Sequence, residues 1–501
     1  MKRLILLAIV SSACSSLVAT APDGGVLAPN TPSDTGSNTT PTDAGQEQTC
    51  GAAERFDEVA QSCVPLTGTT TTCRDAETLR RDHSWAQGAA IVRYAAPQGT
   101  GDGSSPEQAD SLSDLIAAAG AESTAIILAQ GTYAVSEPLA LGVRGPLSLI
   151  GSCAAQTTLE LNATMTAQDH TVQIYGLGVR GPLSAEEGVN ASAIEVRRVG
   201  TFKLMQSTIT APAGHGVVTA DTGSGDGVVI SGVTFNEVRN SGLGATDALG
   251  SWTVTGNLSK GPIGKHGVFF IGGDAAVSIS NNQFESINGD AMRASSALGS
   301  WTVTGNLSKG PIGGDGISFA GGHTDASVTI NNNEFEQIDG NGISAQVALG
   351  SWTVTGNLSR GPIGGHAMHF HNQGGTISLT ANSVTGSARG VLVNGGSANW
   401  TITNNTVGGN EQGQGPQGGF EFFGLTSEGS LSCTGNTLNH VGGVAMSFMD
   451  SKAAATVANN SMSNSWSDQG GQLVSTQGIG LVVVDSSGLT IASNTIQDNS
   501  S

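Results

Sequence analysis

The chain has 501 residues, of which Gly is 73, aromatic residues are 4% and charged residues 12%. That composition is poor material for a helical enzyme and good material for many short strands joined by turns. A formal charge of −20 excludes nucleic acid as a partner, because phosphate binding needs a basic footprint.

In chain order, Lys2 and Arg3 precede the apolar run Leu4 to Val10, the pattern of an export signal over 1–13. Ser11-Ser12-Ala13-Cys14 has the form of a lipoprotein cleavage box, with Ser where Leu is usual, and makes Cys14 the candidate lipid-bearing residue. Ala19-Thr20-Ala21 is a competing cleavage site, disfavoured by Pro22. Either route predicts an extracytoplasmic protein, a cell-surface or outer-membrane lipoprotein or a secreted one, touching a membrane only through its lipid. No later run approaches the roughly 18 apolar residues of a membrane span.

Residues 14–49 are Ser, Thr, Pro and Gly with few large apolar side chains, a disordered tether. Residues 50–90 form a small cysteine-containing segment. In an oxidising compartment, Cys50–Cys63 is the expected disulfide, with a Cys73–Cys153 pairing open beside it. Zinc is disfavoured, since no His or Cys stands at finger spacing. A short helix is expected after Ser111 or Ser113, with Leu112, Leu115 and Ile116 on one face and Gly120 as its stop. Placed before the first coil of a stack, it would cover an open end. The first convincing strand is 125–133.

The repeats dominate the rest. Ala248-Leu-Gly-Ser-Trp-Thr-Val-Thr-Gly-Asn-Leu-Ser recurs from 297 and from 348, at intervals of 49 and 51 residues. A divergent unit lies between copies, Val277-Ser-Ile-Ser-Asn-Asn-Gln-Phe284 and then Val328-Thr-Ile-Asn-Asn-Asn-Glu-Phe335. The structural unit is therefore about 25 residues, half the period. Alternation puts Trp252 and Val254, with Val277 and Ile279, on an inward face and their Ser and Thr neighbours outward. Strands end at Asn257, Asn282, Asn306, Asn332, Asn357, Asn382, Asn405, Asn436, Asn460 and Asn494. Asn tolerates the left-handed bend, and stacked copies can bond along an axis. The prediction is an all-β, single-stranded, right-handed parallel β-helix over 91–501, of roughly 14 coils at ~4.8 Å per coil, with a short N-terminal capping helix.

The unit V-x-I-x-N-N-x-F followed by G-x-G-I resembles right-handed parallel β-helix repeat proteins of the pectin-lyase-like superfamily. That resemblance implies the fold. It leaves activity open, because the fold carries lyases, hydrolases, epimerases, adhesins and inert surface proteins. Gly214-His215-Gly216 resembles the short His motif of polygalacturonases, but the paired Asp motifs and the Arg-x-Lys that accompany it are missing. His215 then reads as a turn residue.

Aligning coils by their inward residues gives one column: His215, Ser241, His266, Asp290, Asp315, Asn341, His366 and Arg389. Asp290 and Asp315 would be adjacent carboxylates with His266 one coil before and Arg293 on the same edge. Such a pair suits acid–base work or holds a cation. No cofactor is otherwise expected, Ca2+ being the one ion the pair could take. Arg293 could neutralise a uronate and His266 shuttle a proton; turn preference alone also explains Asp, Asn and His here. His366, His369 and His371 form a second cluster, read as solvated strand residues in preference to a metal site. Lys260, Lys309 and Arg360 recur at one turn of every second coil, a cationic stripe at ~10 Å intervals that could read an acidic polymer. The Thr pairs at 253/255, 302/304, 353/355 and 401/403 resemble an ice-binding face, interrupted by Ser278, Asn331 and Ala492.

The expected function is a non-catalytic cell-surface rod binding a polysaccharide or glycan through the cationic stripe. The alternative is a polysaccharide lyase or glycoside hydrolase acting on an acidic polysaccharide through Asp290, Asp315, His266 and Arg293. Ice binding through the Thr ladder is a minor third.

Overall fold

The computed structural model describes residues 73–497 apart from 183–190, 221–226, 323–326, 348, 410–415, 464–466, 470–471 and 475–478, together with the short antiparallel pair Glu54–Asp57 and Ser62–Pro65. The export signal, Cys14, the tether and Cys50 lie outside the described residues. No helix among those described is long and apolar enough to cross a membrane.

Every long-range strand pairing from Ile91–Ala95 onward joins a strand to its equivalent one coil away, in parallel. One sheet counts 16 strands, and a second of 29 wraps the remaining sides of the coil. Strands such as Ile363–Gln373 run through a corner and fuse two faces into that larger sheet. The result is the right-handed parallel β-helix predicted, the hand being that of nearly all parallel crossovers. It makes about 12 turns and is only 6% helical. The sequence count of roughly 14 coils is slightly high.

Inward alternation holds throughout. Trp252, Trp301, Trp352 and Trp400 are at most 3% exposed, so they are core and offer no platform for sugar stacking. They pack edge-to-face against phenylalanines from the opposite wall, with centroid distances of 5.1 Å for Trp252–Phe270, 5.0 Å for Phe270–Trp301 and 5.1 Å for Phe319–Trp352. Such geometry suits the ring quadrupoles. Each of these Trp residues thus interlocks with the Phe of its own coil or with the Phe two coils back, in the preceding copy of the long repeat.

The asparagines do form an axial ladder, with one correction. Asn333, not Asn332, is the member between Asn306 and Asn357: Asn306 Nδ2 donates to Asn333 Oδ1 at 2.9 Å, and Asn333 Nδ2 to Asn357 Oδ1 at 3.0 Å. Asn332 holds the left-handed bend, at φ 53°, as Asn281 and Gly256 do in their coils. The bend and the ladder are separate jobs on consecutive residues. The ladder side chains are buried, and each Oδ1 accepts both the backbone N–H and the side-chain N–H of the preceding member, as Asn357 Oδ1 does from Asn333.

At the N-terminal end, α3 (Leu112–Ala118) is capped by Ser111, whose hydroxyl accepts Asp114 N–H at 3.1 Å. Its Leu112 and Leu115 join the core of the first coils, covering the open end as expected. The segment before it is not freestanding. Helices α1 (Ala76–Asp82) and α2 (Ser84–Gln87) lie on the outer face of the first strands, burying Leu79 and Ala86 against Ile127, Ile150, Tyr175 and Met205. A disulfide joins Cys73 to Cys153, the second pairing named above; the Cys50–Cys63 pairing falls outside the described residues. Cys433, the one free cysteine among those described, is buried.

Candidate functional site

The column of turn residues lies where the coil turns into the strands Val268–Gly273, Met292–Ala297, Ile317–Gly322, Ile343–Gln346 and Ile363–Gln373, which stack in register on the larger sheet. From Ser241 to Asn341 each side chain of the column reaches one coil along the axis. His266 Nδ1 accepts Asp290 N–H at 3.0 Å, Asp290 Oδ1 accepts Asp315 N–H at 2.8 Å, Asp315 Oδ1 accepts Asn341 N–H at 2.7 Å, and Asn341 Oδ1 accepts His366 N–H at 2.8 Å. The turn backbone cannot pair with itself, so a short acceptor is needed at every coil. This explains Asp, Asn, His and Ser in the column without any chemistry. It also explains the preceding glycines: a Cβ on Gly314 would meet Asp290 Oδ1 at 2.2 Å and one on Gly340 would meet Asp315 Oδ1 at 2.6 Å.

One stretch of the column carries more than its ladder requires. Asp290 is buried, and its second oxygen, Oδ2, has no hydrogen-bond partner. Arg293 Nη1 and His266 Nδ1 each stand 3.6 Å from it. Burial pushes the Asp290 carboxyl above the usual carboxylate range, reinforced by the charge of Asp315 and opposed by the Asp315 N–H and by Arg293. His266 is pushed down to about 4, first by burial and then by the cations Arg293 and Lys265. It is therefore neutral at pH 7, and since Nδ1 accepts the Asp290 N–H, its ring proton sits on Nε2. The ring stacks on Phe269 at 5.1 Å. The expected juxtaposition of Asp290, Asp315, His266 and Arg293 is thus present. A carboxyl biased toward its acid form next to an imidazole biased toward its base form is a pairing that proton-transfer sites use.

The histidine cluster continues the same face. Met368 and Phe370 point inward, as expected, leaving His366, His369 and His371 outside. The rings of His366 and His369 lie 5.4 Å apart, each with a buried Nε2 lacking a partner. Burial lowers both, His366 to about 4, while the Asp315 carboxylate pulls His369 back upward. No group of three ligands among the described residues is arranged to hold a metal. Glu421, two strands further on, is also raised by burial; no periodicity in the sequence had singled it out. His215, by contrast, is a half-buried turn residue bonded to Asn240 at 3.0 Å and pushed down to about 4 by burial.

The cationic stripe runs beside acids. Lys260 pairs in register with Glu285, and Lys309 with Glu336. Arg360 is held by both Glu334 and Glu336. Cations of the recurrent unit therefore alternate along the axis with acids of the divergent unit, one coil apart. Reading only the recurrent copies hid this; Glu285, Glu334 and Glu336 were legible in the intervening units. Arg180 stands 4.0 Å from Glu160, and Arg144 donates to the Ala117 carbonyl at 2.7 Å.

No protein-family model matches the sequence, and no curated protein does. Solved structures that resemble it include the catalytic domain of a GH87 α-1,3-glucanase in complex with nigerose, at 11% identity and a TM-score of 0.37, covering 74% of this chain and 63% of that one. The chain thus spans just under two thirds of that domain. The mannuronan C-5 epimerase A-module of Azotobacter vinelandii follows at 14% identity and 0.39, covering 76% and 93%. A periplasmic alginate epimerase stands at 10% and 0.39, covering 80% and 83%. At such values these likenesses assign no activity to this chain. What the strand pairings establish on their own is a parallel β-helix.

Proposed function

We propose that this is an exported protein acting on an acidic polysaccharide by proton transfer at the Asp290 face, the alternative raised from the sequence. The observation that carries the reading is the Asp290 cluster: a buried carboxyl with one unbonded oxygen, an Arg and a neutral His both 3.6 Å from it, on a face no other coil duplicates. Asp290, held toward its acid form, serves as proton donor to a leaving oxygen. Asp315, partly exposed and one coil on, is the companion carboxylate. Arg293 neutralises a uronate carboxylate, and His266 offers Nε2–H to a sugar hydroxyl. A Ca2+ ion bridging Asp315 and a uronate would fit hard-oxygen chemistry. The partner is a polysaccharide, reached from a lipid anchor at Cys14.

The stripe-reading rod is the weaker reading, because each cation of the stripe has acidic neighbours that would repel a polyanion. The test is incubation of the full chain with acidic and neutral polysaccharides, following new reducing ends together with the ultraviolet absorbance of unsaturated uronates. Turnover that vanishes in both Asp290→Asn and Asp315→Ala is the expected result. Binding without turnover, unchanged in those variants, would return the protein to the non-catalytic rod.

A further inference from the structure

The outer face of the 16-stranded sheet differs from the other described faces of the coil. Over the ten strands from Ser251–Thr255 to Leu489–Ala492, the outward position opposite Thr253 is Ser or Thr on every strand, in continuous register. Ser278, which looks like an interruption in the sequence, is the hydroxyl between Thr253 and Thr302. The next outward column, opposite Thr255, holds only Ser, Thr and Asn until Ala458 and Ala492 close it. Neither column contains a charged or aromatic side chain, in a chain of net charge −20.

Strand propensity favours Thr on any outward face, but it would act equally on the other faces. Those carry Lys260, Glu285, Arg293, His369 and Glu421. Nor is the array a by-product of duplication, since the divergent units keep their hydroxyls while their other outward positions change. At its start the same face is different: Tyr175 and Met205 occupy the second column, where α1 and α2 cover them, and Gln173 and Lys203 occupy the first. The face turns to hydroxyls where no described element lies on it.

The dimensions follow from the sheet. Rungs stand ~4.8 Å apart and outward columns about 6.6 Å apart along each strand, so ten rungs make a plane roughly 43 Å long. Neighbouring hydroxyls hold one another in place, with Ser280 Oγ donating to Thr255 Oγ1 at 2.9 Å and Thr380 and Thr403 hydroxyls 3.2 Å apart. Any single hydroxyl gains little by exchanging one water for another. A rigid two-dimensional array gains only against a surface that is itself rigid, uncharged and periodic, where all contacts register together. A dissolved polysaccharide would need the charged or aromatic contacts this face lacks.

We infer that this face binds ice, its hydroxyl net holding the first water layer in register with the crystal. The inference is independent of the Asp290 site. The full chain is tested for exclusion from or incorporation into slowly grown ice and for thermal hysteresis, beside the Thr302→Lys/Thr353→Lys variant, whose substitutions sit at exposed outward positions. Thr401→Arg, a second exposed position, and Lys309→Ala and Asp290→Asn are run in parallel, with circular dichroism confirming the fold of each. The expected result is incorporation of the wild type, Lys309→Ala and Asp290→Asn, and loss of incorporation and hysteresis in both Thr variants. Exclusion of the wild type from ice, or equal incorporation of a folded Thr variant, overturns the inference. So does retention of the wild type on microcrystalline cellulose without ice incorporation, which would make the array a face for a solid polysaccharide.

Discussion

Replacing Asn357 by Ala isolates what the axial ladder contributes. Asn357 is fully buried. Its Oδ1 accepts Asn333 N–H and Asn333 Nδ2, both at 3.0 Å, and its Nδ2 donates to Ile330 carbonyl at 2.9 Å and to Asn382 Oδ1 at 3.0 Å. Truncation leaves two groups with no other partner in the ladder, the Asn333 N–H and one lone pair of the Ile330 carbonyl. Asn333 Nδ2 keeps its bond to Val303 carbonyl, and Asn382 Oδ1 keeps Asn357 N–H. At about 1–3 kcal/mol for each buried group left unsatisfied, the expected loss is roughly 2–6 kcal/mol. Trp352 is buried in the core of the same coil, with Trp301 and Trp400 two coils to either side, so urea unfolding followed by tryptophan fluorescence reads the affected region. An outward substitution in the same coil, Thr353→Ala, should change stability by less than about 0.5 kcal/mol. If Asn357→Ala costs no more than Thr353→Ala, the ladder is decoration and the coil stack is held by its apolar core alone.

Four further expectations rest on charge and covalent links. His215, His266 and His366 have folded values near 4 against an ordinary 6.5, so the unfolded chain binds more protons between those values; stability should fall as pH drops from 6.5 toward 4, and His366→Asn should flatten that slope in thermal melts. Asp290, raised by burial, works in the opposite sense: stability is lost as pH rises from 3.8 through its folded value, so Asp290→Asn should match the wild type in acid and melt higher at neutral pH. Equal melts at neutral pH would mean the carboxyl is not penalised by burial. Arg360→Ala, despite two acidic partners, should leave the urea midpoint nearly unchanged because the side chains are solvent-screened; a clear drop in the midpoint would contradict that. Cys153→Ser removes a link across 80 residues and should cost about 2–5 kcal/mol, read as earlier proteolytic release of the segment carrying α1 and α2; unchanged proteolysis would show that apolar docking alone holds it.

The coil, its inward tryptophans and the capping helix were legible because periodicity and alternation are local properties that stacking amplifies. The ladder was legible in outline only. In Asn331-Asn332-Asn333 three candidates stand in a row, and which one turns the chain and which one faces the core depends on φ at a single residue. The Asp290 cluster could be found by aligning coils, since one column of a stack is one line in space. Its role as an acceptor ladder for backbone N–H groups could not, because that depends on where each turn leaves its amides. The stripe of Lys260, Lys309 and Arg360 misled for the opposite reason: attention to identical copies passed over the acids in the units between them. The hydroxyl array was underestimated in the same way, its rungs alternating between two units that look unrelated until paired.

The most direct test of where a polysaccharide engages this protein is a comparison of two variants in equilibrium binding to an acidic polysaccharide. His266→Ala/Arg293→Ala removes the candidate site, and Lys260→Ala/Lys309→Ala removes the stripe. Loss of binding in the first and retention in the second is the predicted result. Retention in the first with loss in the second would contradict the account and move the binding surface to the stripe.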